Sequence, residues 1–285
     1  MLLNNEMQES KIAPQIILNS VFETCSNSEA GSPAQMNEFN GLKIELSNHP
    51  ALNELKIFGE NLIKTPLNEK QLKIYFATMW AFFREIPTGI LALALRVTDD
   101  WMNRDMWDAT SKGAYILYAD VDEFGLQAMH KKIYPSHHQL FSSLTNYLGV
   151  LPEDFTNKDY ILSDGVNLGE LTFQYYREES LAAGLGFHLA SELTSSVEFT
   201  YFLDGFSKHR EHYNLKSEND PVLTFFRVHT LVEPLHLKKS EEIINSYLNI
   251  NPATLVEIKN GSIVFMNGFE QLFAALNQKL FNCVA

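Results

Sequence analysis

From Pro50 onward, apolar residues recur every three to four positions, in segments parted by proline, glycine and asparagine. This is the period of helices, not the alternation of an all-β chain. Leu52, Leu55, Phe58 and Leu62 mark one face of a helix that opens at Pro50 and is broken by Pro66; proline is tolerated in a first turn because its missing N–H has no partner there anyway. Asn68 followed by Gln71 has the spacing of a capping box, opening a helix through Leu72, Tyr75, Phe76 and Met79 to about Arg84. The same periodicity predicts helices over 87–99, 103–122, 136–148, 167–184, 186–208, 219–232, 234–249 and 265–280. Residues 256–259 (Val-Glu-Ile-Lys) and 262–265 (Ser-Ile-Val-Phe) read as a small hairpin turning on Asn260-Gly261. The expected fold class is all-α.

Residues 1–45 read differently. The stretch from Ser26 to Gln35 is rich in Ser, Gly, Ala and Pro, a composition that holds a helix poorly. The expected organisation is a flexible extension over 1–45 and one helical domain over 46–285, since 285 residues with 45% apolar content can bury a sizeable core. The formal net charge of −13 argues against nucleic acid as a partner, because phosphates demand basic clusters. The longest apolar stretch, Gly89 to Leu95, is far shorter than a bilayer span, so no membrane partner is expected. The start, Met1-Leu-Leu-Asn-Asn-Glu6, shows no basic segment leading into an apolar run, and the expected location is cytoplasmic. Cys25 and Cys283 are the only cysteines and make neither a disulfide framework nor a thiolate-rich site. A metal would have to rest on His, Asp and Glu.

Three segments carry such residues. In Phe226-Arg-Val-His229-Thr-Leu-Val-Glu233-Pro-Leu-His236 the donors stand at i, i+4 and i+7, nearly eclipsed on a helix. Two imidazoles and a carboxylate on one face suit iron, manganese or zinc; the competing reading is a partly solvated polar stripe. Pro234 either kinks this helix or separates two. Glu192 follows the small, largely apolar segment from Ser180, where a carboxylate needs a compensating partner unless it faces solvent. His188, one turn earlier, is a second candidate. Glu123 precedes Gly125 and His137 follows Pro135, so Glu123 closes one helix and His137 opens another. On chemistry alone His130 and His137 rank equally. His137 and His138 diverge by about 100° on a helix and are not expected to point inward together. Trp80, Phe82, Phe83, Tyr115, Tyr118, Tyr175 and Tyr176 either line a pocket or pack in the core. Lys208-His-Arg-Glu-His212 reads as a solvated connection.

Taken in order, these segments resemble the heme-oxygenase-like di-iron oxidases and oxygenases. The resemblance rests on Asp122-Glu123, on His137-x-x-Leu140-Phe141 followed by Leu148-Gly149 and Pro152-Glu153, on Glu192, and on His229-x3-Glu233-x2-His236. It extends to His49-Pro50 and to Leu67-Asn-Glu-Lys-Gln-Leu72, and so covers roughly 48 to 250. It favours His137 over His130 and implies an up-and-down helical bundle. It also implies two Fe(II) ions held by Glu123, His137, Glu192, His229, Glu233 and His236, with the three carboxylates shifting between terminal and bridging modes during catalysis. The implied activity is oxidation of a small molecule with O2, by oxygenation, N-hydroxylation, desaturation or carbon–carbon cleavage, on an amine or amino-acid-derived metabolite. An electron donor and a homodimer are partners the resemblance admits. Phe202 stands where the para-aminobenzoate-forming branch carries a lysine, so self-consuming chemistry is not expected. The alternatives are a metal-independent enzyme like the thiaminase-like and quinone-cofactor-forming relatives, or a non-catalytic helical interaction protein.

Overall fold

The computed structural model describes residues 33–127 and 132–282. It is an all-α helical bundle. Its helices are α1 (Pro33–Ser47), α2 (Pro50–Lys64), α3 (Glu69–Phe83), α4 (Ile86–Met102), α5 (Ala109–Glu123), α6 (His137–Tyr147), α7 (Ser163–Arg177), α8 (Leu181–Lys208), α9 (Thr224–Ile250) and α10 (Leu255–Phe281). A two-residue antiparallel pairing, Leu126–Gln127 with Lys132–Ile133, lies between α5 and α6. Among the described residues no helix is long and apolar enough to cross a membrane.

Helix α8 is the axial rod. It is apolar almost all round, which a helix can be only when enclosed on every side, and it is buried over most of its length against α2, α9 and α10. Phe202 and Phe206 of α8 meet Phe58 of α2, Tyr75 and Phe76 of α3, Phe226 of α9 and Phe273 of α10 in one aromatic cluster. The cluster fixes the end of the rod distant from Ser180.

The local signals mostly act as their chemistry dictates. Pro50 starts α2, with the His49 imidazole accepting from the Ala51 N–H. Asn68 and Gln71 make both bonds of a capping box at the start of α3. Four expectations meet a different outcome. The segment read as a flexible extension is helical from Pro33, and Phe39, Leu42 and Leu46 join the core; residues 1–32, with Cys25, lie outside the described residues, as does Cys283. The helix expected over 167–184 ends at Arg177, because the Ser180 hydroxyl caps a new one by accepting from the Ala183 N–H. Helix α9 runs unbroken through Pro234, joining the two segments expected on either side.

The fourth is a correction. Asn260-Gly261 is no turn, and 255–281 is one helix. Gly261 is there for closeness: a Cβ on it would come within 1.9 Å of the Ala183 carbonyl oxygen, and one on Gly186 within 1.8 Å of that of Ile258. Two glycines let α8 and α10 touch backbone to backbone, and the buried Ser262 hydroxyl donates across the contact to the Gly186 carbonyl at 2.8 Å.

Candidate metal centre

Glu123 and His137 are placed by helix ends. Gly125 adopts φ 69°, the left-handed conformation that terminates a helix, and so ends α5 at Glu123. The chain returns when the Tyr134 N–H donates to the Gly125 carbonyl at 2.9 Å. Ser136 and Gln139 then form the capping box that opens α6 at His137. The last residue of one helix thus faces the first of the next, with His137 Nδ1 2.8 Å from Glu123 Oε1. From α9, His229 Nε2 lies 3.7 Å from the same oxygen. The other nitrogen of His229, Nδ1, donates to the Phe225 carbonyl at 2.7 Å, which fixes the tautomer and leaves the Nε2 lone pair facing the site. Phe199 stacks on that imidazole, with centroids 3.8 Å apart and planes 17° from parallel.

The second set of donors comes from the middle of long helices. Glu192 projects from α8, and Glu233 and His236 project from α9. His236 Nδ1 lies 3.6 Å from Glu192 Oε2 and 3.6 Å from Glu233 Oε2. Behind Glu192, His188 Nδ1 is 3.5 Å from Oε1 and 3.2 Å from the Tyr176 hydroxyl. Glu192 Oε2 is buried with no hydrogen-bond partner.

Glu123, His137 and His229 therefore form one set of donors, and Glu192, Glu233 and His236 a second, each with its donor atoms within 4.8 Å of one another. All six line one cavity of about 50 Å³, walled by Phe83, Ile86, Ile90, Phe199 and Phe225. His130 lies outside the described residues. His138 lines the same cavity as His137, contrary to expectation, because its ring turns edge-on to Trp80 at the cavity wall, 4.8 Å between centroids.

The charges differ between the sets. Burial would push the Glu123 carboxyl up, but His137 and His229 outweigh it and hold it well below the usual carboxylate range. Burial opposes ionisation of Glu233 too, yet the hydrogen bond and charge of His236 lower it. Glu192 goes the other way: burial, and then the neighbouring Glu233 charge, raise it well above the usual range. Burial, reinforced by His236, pushes His188 down to about 3. A divalent cation beside the second set would offset the crowding of its two carboxyls and give Glu192 Oε2 a partner, and two His/Glu sets of this composition suit such ions. These buried groups could hold a metal.

The chain is similar to a biosynthetic enzyme. Over 235 residues, 81% of this chain and 77% of the relative, it is 23% identical to 4-chloro-allylglycine synthase of Streptantibioticus cattleyicolor. No protein-family model matches it.

Of the aromatics singled out in the sequence, only Phe83 reaches this cavity. Tyr176 instead contacts His188, Tyr175 stacks on Phe187, and Trp80 mainly packs against Phe141. Phe199 and Phe225, not anticipated, are the rings that hold His229. The available signal was spacing: Phe225 precedes His229 by four residues, and Phe199 follows Glu192 by seven. The 208–212 segment is an exposed to half-buried connection, as its charges suggest, and its His209 and His212 rings reach the Ile63 and Leu67 carbonyls.

Proposed function

We propose that the protein is an oxygen-dependent, non-heme di-iron oxidoreductase acting on a small amine or amino-acid-derived molecule. The observation that carries this reading is the pair of three-donor sets, Glu123/His137/His229 and Glu192/Glu233/His236, opening on one cavity. The likeness to 4-chloro-allylglycine synthase supports an amino-acid-derived substrate.

In this reading Glu123, His137 and His229 would hold one iron, and Glu192 from α8 with Glu233 and His236 from α9 would hold the other. A ferrous pair, when bound, supplies the electrons that reduce dioxygen. The chain's own part is to hold donors and keep water out. The Phe225 carbonyl keeps His229 in the tautomer whose Nε2 can ligate. Phe199 and Phe225 stop that ring from turning. The apolar wall of Phe83, Ile86 and Ile90 limits the solvent that would quench a reactive oxidant.

The test is to titrate anaerobic metal-free protein with ferrous iron, count irons per chain, and record visible absorption on exposure to oxygen. Two irons and an oxygen-dependent absorption change are expected. The Glu192→Ala/His229→Ala double variant should lose iron-dependent oxygen consumption. One iron would overturn the pair, and no specific binding would leave the metal-independent enzyme or the interaction protein.

A further inference from the structure

Beside the metal-site cavity lies a second, smaller one of about 30 Å³, and the two share Phe83, Ile86, Ser191, Ser195 and Phe199 as walls. It contains a charge-bearing group that the proposed chemistry does not use. Glu198, only 3% exposed, lines it, and its Oε1 has no hydrogen-bond partner. No ion pair to a Lys, Arg or His reaches Glu198 among the described residues, although a buried carboxyl without a partner is costly.

Two hydroxyls beside it are left as acceptors. Thr194 and Ser195 line the same cavity, and both hydroxyl protons are committed to the Ser191 carbonyl, at 2.9 and 2.8 Å. Their oxygens retain lone pairs but have no proton to offer. The cavity thus presents a carboxyl and two hydroxyl acceptors on one stripe of α8, between the rings of Phe82, Phe83, Phe199 and Phe265. A group with several donors, no acceptor and a positive charge matches that set. An ammonium has those properties.

We propose that this second cavity is an ammonium subsite, in which Glu198, Thr194 and Ser195 accept from a primary amine of the substrate. The subsite gives the di-iron reading its substrate class and rests on that reading only for the position of the reacting carbon. Six residues of helix separate Glu198 from Glu192, about 9 Å along the axis. An unbranched chain of four to six atoms would therefore reach from the amine to the metal-site donors. Burial and the nearby Glu233 charge push the Glu198 carboxyl well above the usual carboxylate range, and an ammonium beside it would draw it back down.

The experiment uses full-length protein, with and without ferrous iron under anaerobic conditions, and titrates n-pentylamine, 1-pentanol, L-norleucine and L-lysine by calorimetry. Pentylamine should bind at least about tenfold more tightly than pentanol, the scale of a charged hydrogen bond. Glu198→Gln should abolish that preference without changing iron stoichiometry, and Ser195→Ala should weaken it by a smaller factor. Tighter binding of lysine than norleucine would assign the subsite to a side-chain amine; equal binding by both would assign it to the α-amine. Equal affinity of wild type for amine and alcohol, or an amine preference that survives in both folded variants, would overturn the subsite. Amine preference without iron binding would sustain the subsite and sink the di-iron reading, so the two fail separately.

Discussion

The two donor sets solve the problem of buried charge in opposite ways. Around Glu123 the anion arrives with its partners: two imidazoles share one carboxylate oxygen, and the carboxyl is held low. Around Glu192 two carboxyls share the His236 imidazole, with His188 behind Glu192; one carboxyl is raised well above its usual range, and its Oε2 has no hydrogen-bond partner. The first set is electrostatically complete without a metal and the second is not. The difference follows from origin. Glu123 and His137 sit at helix ends, where a capping box and a left-handed glycine can aim them at each other, whereas Glu192 and Glu233 are fixed by the packing of two long helices whatever their charges prefer.

Removing a ligand from either set should have the largest effect. His137→Ala and Glu233→Ala are each expected to weaken iron at their own set by at least about 100-fold and to leave one iron per chain in an anaerobic titration. Two irons in either variant would break the division into sets.

Conservative neutral variants should then separate the sets by sign in metal-free protein. Glu123→Gln strips two imidazoles of their anion and should cost about 2 kcal/mol in urea unfolding. Glu192→Gln removes the carboxyl that raises strain against Glu233, and should be neutral or stabilising by up to about 1 kcal/mol. Equal destabilisation by both would erase the contrast.

The pH dependence sharpens the same point. Glu123, with its folded value depressed, contributes stability that is present above the usual carboxylate value of 4.5 and is lost as pH falls below it. Glu192, with its folded value raised, contributes stability that is present below 4.5 and is lost as pH rises above it. Chelated protein should lose its acid-side slope in Glu123→Gln and its opposite slope in Glu192→Gln, read from thermal midpoints across pH. The smallest effect is expected from Phe199→Leu, which removes the stacked ring but touches neither carboxylate: about a threefold to tenfold loss of iron affinity, confined to the His229 set.

Much of this organisation was legible because it is local. The Pro50 start, the Asn68/Gln71 box and the end of α5 at Gly125 each depend on residues within a few positions of one another. The His229, Glu233 and His236 spacing showed a common face, and resemblance supplied the order of the other donors. What could not be read depends on distant neighbours. Gly261 looked like a turn residue because its partner, Ala183, is 78 positions away in the sequence. Pro234 left a kink or a break open, and α9 is one helix through it, with Phe226, His229 and Leu237 buried on both sides. Glu198 gave no signal, since a lone glutamate among Phe199, Tyr201 and Phe202 declares neither its burial nor its missing partner.

Helix α9 supplies His229 to one set and Glu233 with His236 to the other. Any roll of that helix about its own axis would displace donors on both sides together, so the two positions share one degree of freedom. In the proposed di-iron reading, an ion held by one set would restrain that helix and so help to align the donors of the other. Occupancy should therefore rise steeply, with fully loaded and empty molecules outnumbering half-filled ones, as in a lock whose two tumblers are cut on a single key.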